Sequence, residues 1–268
     1  MKHVCNFSGG LCSFWAAYRV VQKYGPLDTV LLFADTLVES PDLYEFNQQA
    51  SALLGVPVTR VSREMTPWQL FRREKMIGNN RFPICSVYLK REVLDEWLID
   101  NFSMGSPEFF KEPATLYLGF DWTEGHRVAD MRKQHPDWRI EAPMTEEPIW
   151  DKCRMQNEAA KLGLPIAQAY MQGFPHNNCG KRCVRGGISH WVHLYHVDEP
   201  AFAEWEKEER FTAQQITNDG GTPWSMLKDR RGGVHNNLYL WQLRQRIEAG
   251  ELMDKHDWGG CGCGGTTK

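Results

Sequence analysis

Six residues near the start, Ser8-Gly9-Gly10-Leu11-Cys12-Ser13, have the make-up of a phosphate-holding loop. Gly9 and Gly10 let a phosphate approach backbone N–H groups with no side chain in the way. Ser8 and Ser13 add hydroxyl donors, and a helix beginning at the loop adds the positive end of its dipole. The bland alternative is a glycine-rich turn from strand to helix with no ligand. The chain has neither a Gly-x-x-x-x-Gly-Lys-Ser/Thr loop nor a Gly-x-Gly-x-x-Gly fingerprint, which weighs against kinase, GTPase and dinucleotide chemistry.

The second set of reactive residues is thiols. The chain has eight cysteines in 268 residues. In a reducing compartment such cysteines more often bind metal or do chemistry than form disulfides. Cys179-Gly180-Lys181-Arg182-Cys183 places two thiols beside two cations, which favour the thiolate. Cys261-Gly262-Cys263 lies among glycines. Four soft ligands in two clusters suit tetrahedral zinc or a [4Fe–4S] cluster, although the spacing is not that of a zinc ribbon. The alternative is a handful of reduced, structural cysteines. Cys5 and Cys153 fall in predicted elements and read as core. His190, His193 and His196 recur every three residues with Trp191 and Tyr195 between them, which reads as packing. Lys228 to Gly233 reads as a solvated basic turn, able to contact a nucleic acid if the substrate is one.

These residues need a frame. His3–Phe7 reads as a strand, and Cys12–Lys23 as a helix whose Phe14, Ala17, Tyr18 and Val21 share one face. Thr29–Ala34 is an apolar run expected of a buried parallel strand. Ser40 and Pro41 read as cap and first residue of a helix reaching Leu54. Val58–Val61, Thr115–Phe120 and Trp138–Ala142 read as strands. Thr66–Lys75 and Val87–Asn101 read as helices. Alternation of this kind predicts an α/β fold, a Rossmann-like doubly wound parallel sheet. Ligands bind outside the carboxyl ends of such strands, where Ser8–Ser13, Asp35 and Asp121 would gather. Beyond residue 150 the pattern changes. Asp151–Leu162, Val184–Thr217 and Leu238–Ala249 read as helical. The expected division is a nucleotide-binding domain, 1–183, and a helical, cysteine-bearing C-terminal region, 184–268.

The loop and a series of later motifs together resemble the PP-loop superfamily of adenine-nucleotide enzymes, and within it the phosphoadenylyl-sulfate (PAPS) reductase family. Ser8 to Ser13 is similar to the family's Ser-Gly-Gly-x-Asp-Ser loop, with Cys12 where the family has Asp. Phe33-Ala34-Asp35-Thr36, then Glu39-Ser40-Pro41 and Tyr44-Glu45-Phe46, come next in family order. So do Cys85 with Lys90, Pro143 through Trp150, Leu164-Pro165, Tyr170, Gly173-Phe174 and Cys179. The resemblance covers roughly residues 3 to 185. It implies that Ser8, Gly9, Gly10, Cys12 and Ser13 hold the phosphate or sulfate end of ATP, adenylyl sulfate (APS) or PAPS, with Mg2+ as the ion a nucleotide would bring. Asp35, Thr36, Lys90 and Asp121 would complete the nucleotide site. Arg127, in the loop Gly119 to Arg127, would grip phosphate or sulfate; the alternative is a helix start capped by Asp121 or Thr123, with a solvated arginine. Cys85, Cys179 and Cys183 match cluster ligands by position, and Cys261 or Cys263 would complete the set. The family's Glu-Cys-Gly-Leu-His tail is absent, so Cys261 or Cys263 would also be the candidate nucleophile or persulfide carrier.

Three functions remain open on these residues. One is ATP cleavage between the α and β phosphates, coupled to sulfur transfer to an unknown acceptor. The second is an APS or PAPS reductase. The third is a non-catalytic nucleotide- or cluster-binding module of a nucleic-acid-modifying assembly. The net charge of −3 does not itself point to a nucleic acid or an anionic membrane. The first residues lack a signal peptide's apolar stretch, and no apolar run approaches the ~20 residues that span a bilayer. The expected location is the cytoplasm, and self-association is left open.

Overall fold

A computed structural model describes residues 1–103, 112–229, 236–252 and 256–260. The N-terminal part alternates β1 (Lys2–Asn6), α1 (Leu11–Tyr24), β2 (Thr29–Ala34), α2 (Pro41–Leu54), β3 (Val58–Val61) and α3 (Pro67–Arg73). Then come α4 (Ile84–Ser86), a π-helical turn (Val87–Arg91), α5 (Glu92–Asn101) and β4 (Ala114–Tyr117). They are followed by α6 (Gly125–Gln134), β5 (Arg139–Glu141), α7 (Lys152–Lys161) and α8 (Gln168–Met171). The remainder is α9 (Ile188–Val197), α10 (Glu199–Asn218), β6 (Leu227–Asp229), β7 (Asn236–Leu238) and α11 (Leu240–Glu248).

The first five strands form one parallel sheet in the order β3-β2-β1-β4-β5. His3 stands opposite Thr29 on one side and Thr115 on the other. Strand order reverses at β1, so a crevice opens between the carboxyl ends of β1 and β4. Burial explains the layering. Phe14 and Trp15 of α1, Phe46 and Ala50 of α2, and Met155 of α7 cover one face. Leu98 of α5, Val128 of α6 and Ile140 cover the other, against Val4, Leu32 and Leu116. The fold is therefore the expected Rossmann-like α/β sheet with helices on both faces.

A third core lies beyond the sheet. Trp68 and Phe71 of α3 pack with Trp191, Phe202, Trp205, Leu238 and Leu243. Two features here depart from the sequence reading. The expected single helical run Val184–Thr217 is two helices, because Asp198 breaks it and caps α10 through the Ala201 N–H, with Pro200 in the first turn. Leu227–Asp229 and Asn236–Leu238 pair as the antiparallel arms of a hairpin, where Lys228 read as the start of a basic turn; positions 230–233 of that turn lie outside the described residues. Glu209 of α10 fastens both ends of that hairpin, accepting from the Met226 N–H at 3.0 Å and the Leu240 N–H at 2.6 Å. Burial in this apolar core pushes its carboxyl up to about 7. None of the described helices is long and apolar enough to cross a membrane.

Candidate nucleotide site

The loop after β1 gains its shape from two close contacts. Gly9 has φ +76, and a Cβ there would come within 2.8 Å of Leu43 and Asn47 of α2. Gly119, just past β4, lies so near the first turn of α1 that a Cβ would sit 2.5 Å from the Ser13 Cα. Backbone on backbone leaves no room to yield, so β4 and α1 meet here only through glycine. Gly10 differs: its φ is −92, and an added Cβ would be 3.5 Å from its nearest neighbour. Neither conformation nor crowding demands glycine at position 10, which leaves approach of a ligand as a reason for the bare backbone.

Gly10 caps α1 without any side-chain hydrogen bond to the helix. Ser13 Oγ donates to the Gly10 carbonyl at 2.8 Å, and Ser8 Oγ donates to Ser13 Oγ at 3.2 Å. The Tyr170 hydroxyl, from α8, accepts from the Leu11 N–H, and burial raises its pKa to about 12. Cys12 is set into the helix side, its Sγ 3.6 Å from Met155 Sδ. Burial first, and then the carboxylates of Asp121 and Glu124, push its thiol up to about 12. Position 12 therefore carries a neutral thiol at physiological pH.

These residues line a cavity of about 390 Å3 at the carboxyl edge of the sheet. That is within the usual range for small-ligand pockets. Lys90, Arg127, Lys152 and His176 line the same cavity and can face an anion. Lys90 comes from the π-helical turn, a local widening common at functional sites. Its Nζ is 2.9 Å from Glu39 Oε1, and Glu39 is buried. Arg127 pairs with Glu124 and lies over the Phe120 ring, 4.2 Å from its centroid. Asp121 also lines the cavity, while its Oδ1 caps the turn beginning at Trp122 through the Thr123 N–H at 2.9 Å. The cap and the cavity wall are therefore one residue.

Asp35 and Thr36 follow β2 as expected, but inward contacts occupy them. Asp35 accepts from the Leu37 N–H, the Tyr44 hydroxyl and Arg60 Nε, each at 2.8 Å. Thr36 Oγ1 donates to Glu39 Oε1 at 3.1 Å. Neither lines the cavity. Sequence reasoning missed Glu39. This carboxylate binds Thr36, Lys90 and, at 2.8 Å, the Cys179 N–H, joining three distant segments. Its only sequence signal is its place in Glu39-Ser40-Pro41, a motif that marks the helix start and hides the carboxylate's own role.

Cys179, Gly180 and Lys181 all have positive φ, at 51°, 56° and 71°. Two of the three carry a Cβ, so this turn is strained and its surroundings must hold it. Glu39 holds the Cys179 N–H. Lys181 Nζ reaches Asp198 at 2.6 Å and Gln172 at 2.9 Å, and its carbonyl accepts from His190 Nε2 at 2.6 Å. Arg182 pairs with Glu204 and lies over Trp205. The two cations beside the thiols are thus turned to carboxylates. Cys179 and Cys183 are buried and Cys85 is half-buried. Among the described residues, no three His, Cys, Asp or Glu side chains gather closely enough to hold a metal ion. Cys261 and Cys263 lie outside the described residues. The chain reaches them from Gly260, whose N–H donates to the Arg185 carbonyl at 3.2 Å.

No protein-family profile matches the chain, and no curated protein matches it. Among solved structures it is similar to a phosphoadenylyl-sulfate (PAPS) reductase from Candida auris in a phosphate complex. The identity is 11% and the TM-score 0.46, over 66% of this chain and 81% of that one.

Proposed function

We propose that this chain is an adenine-nucleotide enzyme that cleaves ATP between the α and β phosphates to activate an acceptor for sulfur transfer. One observation carries the reading. The N-terminus of α1, whose cap residue Gly10 offers no side-chain acceptor, lines a cavity that also holds Lys90, Arg127 and Lys152. In this reading the β and γ phosphates rest on the N–H groups of the Ser8–Ser13 loop. An acceptor nucleophile forms a bond to the α phosphorus while the bond to the bridging oxygen breaks. Pyrophosphate leaves with the electron pair, and the loop and cations offset its charge. A persulfide, loaded onto Cys261 or Cys263 by a sulfane-sulfur donor, would then attack the activated carbon and displace AMP. The other cysteine would attack the Cys–S bond of the resulting disulfide, releasing the thiolated acceptor and leaving a protein disulfide for a thiol reductant to reopen. Among the described residues Cys85, Cys179 and Cys183 form no ligand set, and the reading routes no step through an iron–sulfur cluster.

An APS or PAPS reductase would use the same cavity, with a tail cysteine attacking sulfur; the family order of the motifs favours it. Equilibrium titration with ATP, APS and PAPS tests the shared claim. Retained affinity in a Ser8→Ala, Gly9→Ala double variant sinks the loop assignment. Pyrophosphate released from ATP, against sulfite released from PAPS, separates the two chemistries. Anoxic purification yielding a brown protein with broad absorbance near ~400 nm would reinstate the cluster.

A further inference from the structure

Away from the cavity, two aromatic rings stand together on the surface. Phe82 and Trp224 are 37% and 38% exposed, with centroids 5.0 Å apart at 57°. They come from segments far apart in sequence, the loop before α4 and the irregular segment before β6. A cation lies beside each ring. The Arg81 guanidinium carbon is 5.5 Å from the Phe82 centroid, and Lys228 Nζ is 5.8 Å from the Trp224 centroid. Arg185 reaches the same edge, donating to Asn80 Oδ1 at 3.4 Å.

The patch combines the two exposed rings with cations that no carboxylate among the described residues neutralises. Arg60, Arg72, Arg182, Arg244 and Arg246 each pair with a carboxylate. Among the described residues neither Arg81 nor Lys228 does so, and Lys228 donates to the neutral Asn237 carboxamide. Two half-exposed π faces flanked by such cations match a ligand that offers flat apolar rings and regularly spaced anions together. An acidic peptide offers flat rings only where aromatic residues happen to fall between its carboxylates, and a nucleic-acid duplex hides its base faces.

We infer that the Phe82–Trp224 surface binds single-stranded nucleic acid, with bases stacking on the two rings and backbone phosphates meeting Arg81 and Lys228. None of these residues lines the nucleotide cavity, so the inference stands or falls apart from the ATP reading. With a net charge of −3 the chain has little long-range attraction for a polyanion. Binding is therefore local, and salt weakens it in proportion to the few cations engaged.

Fluorescence anisotropy with labelled twelve-nucleotide single strands, RNA and DNA, and with the matching duplex tests this on the full chain. At least one single strand should bind, and the duplex should bind at least about tenfold more weakly. A Phe82→Ala, Trp224→Ala variant should lose about tenfold or more in affinity, the stacking contribution of one or two bases. An Arg81→Ala, Lys228→Ala variant should lower the slope of log K against log salt by about 1.4, two cations at about 0.7 each. Both variants should keep wild-type ATP affinity. If the aromatic variant fails to fold, the charge variant, which leaves both rings in place, still decides. The inference is overturned if neither single strand binds below ~100 μM, the weak end of non-specific binding. It is equally overturned if the duplex binds as tightly, if both variants bind like wild type, or if sedimentation shows that the aromatic variant changes self-association instead.

Discussion

Glu39 and Glu209 are both buried carboxylates that fasten distant segments, and they do so with different partners. Glu39, at the cavity edge, has the Lys90 ammonium, the Thr36 hydroxyl and the Cys179 N–H. Glu209, in the C-terminal core, has two backbone N–H groups, and the nearby Glu206 carboxylate adds to the upward push of burial. The first region keeps its charges matched and its donors near a cavity. The second carries an unmatched acid in a dry core, where burial outweighs the hydrogen bonds. The contrast separates a polar, charge-matched region beside a cavity from a region that serves packing.

Removing Glu39 should cost most. Glu39→Ala removes the carboxylate that Lys90 and the Cys179 N–H share, and breaking a buried ion pair costs about 3–5 kcal/mol. Chemical denaturation measures this, and a loss under about 1 kcal/mol would erase the contrast. Next comes the pH dependence of Glu209. Its folded pKa lies above its unfolded value, so its contribution is full below about 4.5 and lost as pH rises through about 7. The shift corresponds to about 3 kcal/mol at 1.36 per unit. The melting temperature should fall across that window, and Glu209→Gln should flatten the slope; an equal slope in the variant refutes the assignment. The smallest pair of effects concerns the loop. Gly119→Ala forces a Cβ onto the Ser13 backbone and should cost about 2 kcal/mol. Gly10→Ala should stay within about 0.5 kcal/mol of wild type. Equal losses at both positions would remove the case for a bare, ligand-facing Gly10.

Much of this was legible in the sequence. The apolar run Thr29–Ala34, the helical face Phe14-Ala17-Tyr18-Val21 and the Ser40-Pro41 cap carry local periodicity, and each element is where that periodicity puts it. The Ser8–Ser13 loop was legible because its glycines are local. Asp35's attachment to Arg60 was not, since an ion pair across 25 residues leaves no period. The hairpin escaped notice because strands of three residues are too short to alternate visibly. The break at Asp198 had a signal, a capping Asp followed two residues later by Pro, which the aromatic and charged run around it obscured. The π-helical turn under Lys90 had none: helical composition does not distinguish one hydrogen-bond register from the next.

The anchored segment before residue 261 limits what the last cysteines can do. Asp257 accepts from the Ser189 N–H, and Gly260 is bound at Arg185, two residues after Cys183. Cys261 is one peptide unit, about 3.8 Å of chain, past that anchor. Covalent connectivity alone keeps Cys261 one residue and Cys263 three residues from the Gly260 anchor. Encounters between these thiols are intramolecular, at effective concentrations of order millimolar whatever the protein's abundance. Disulfide exchange or shared metal binding among them would thus be insensitive to dilution, whereas a reaction with a thiol on another molecule would fade with it.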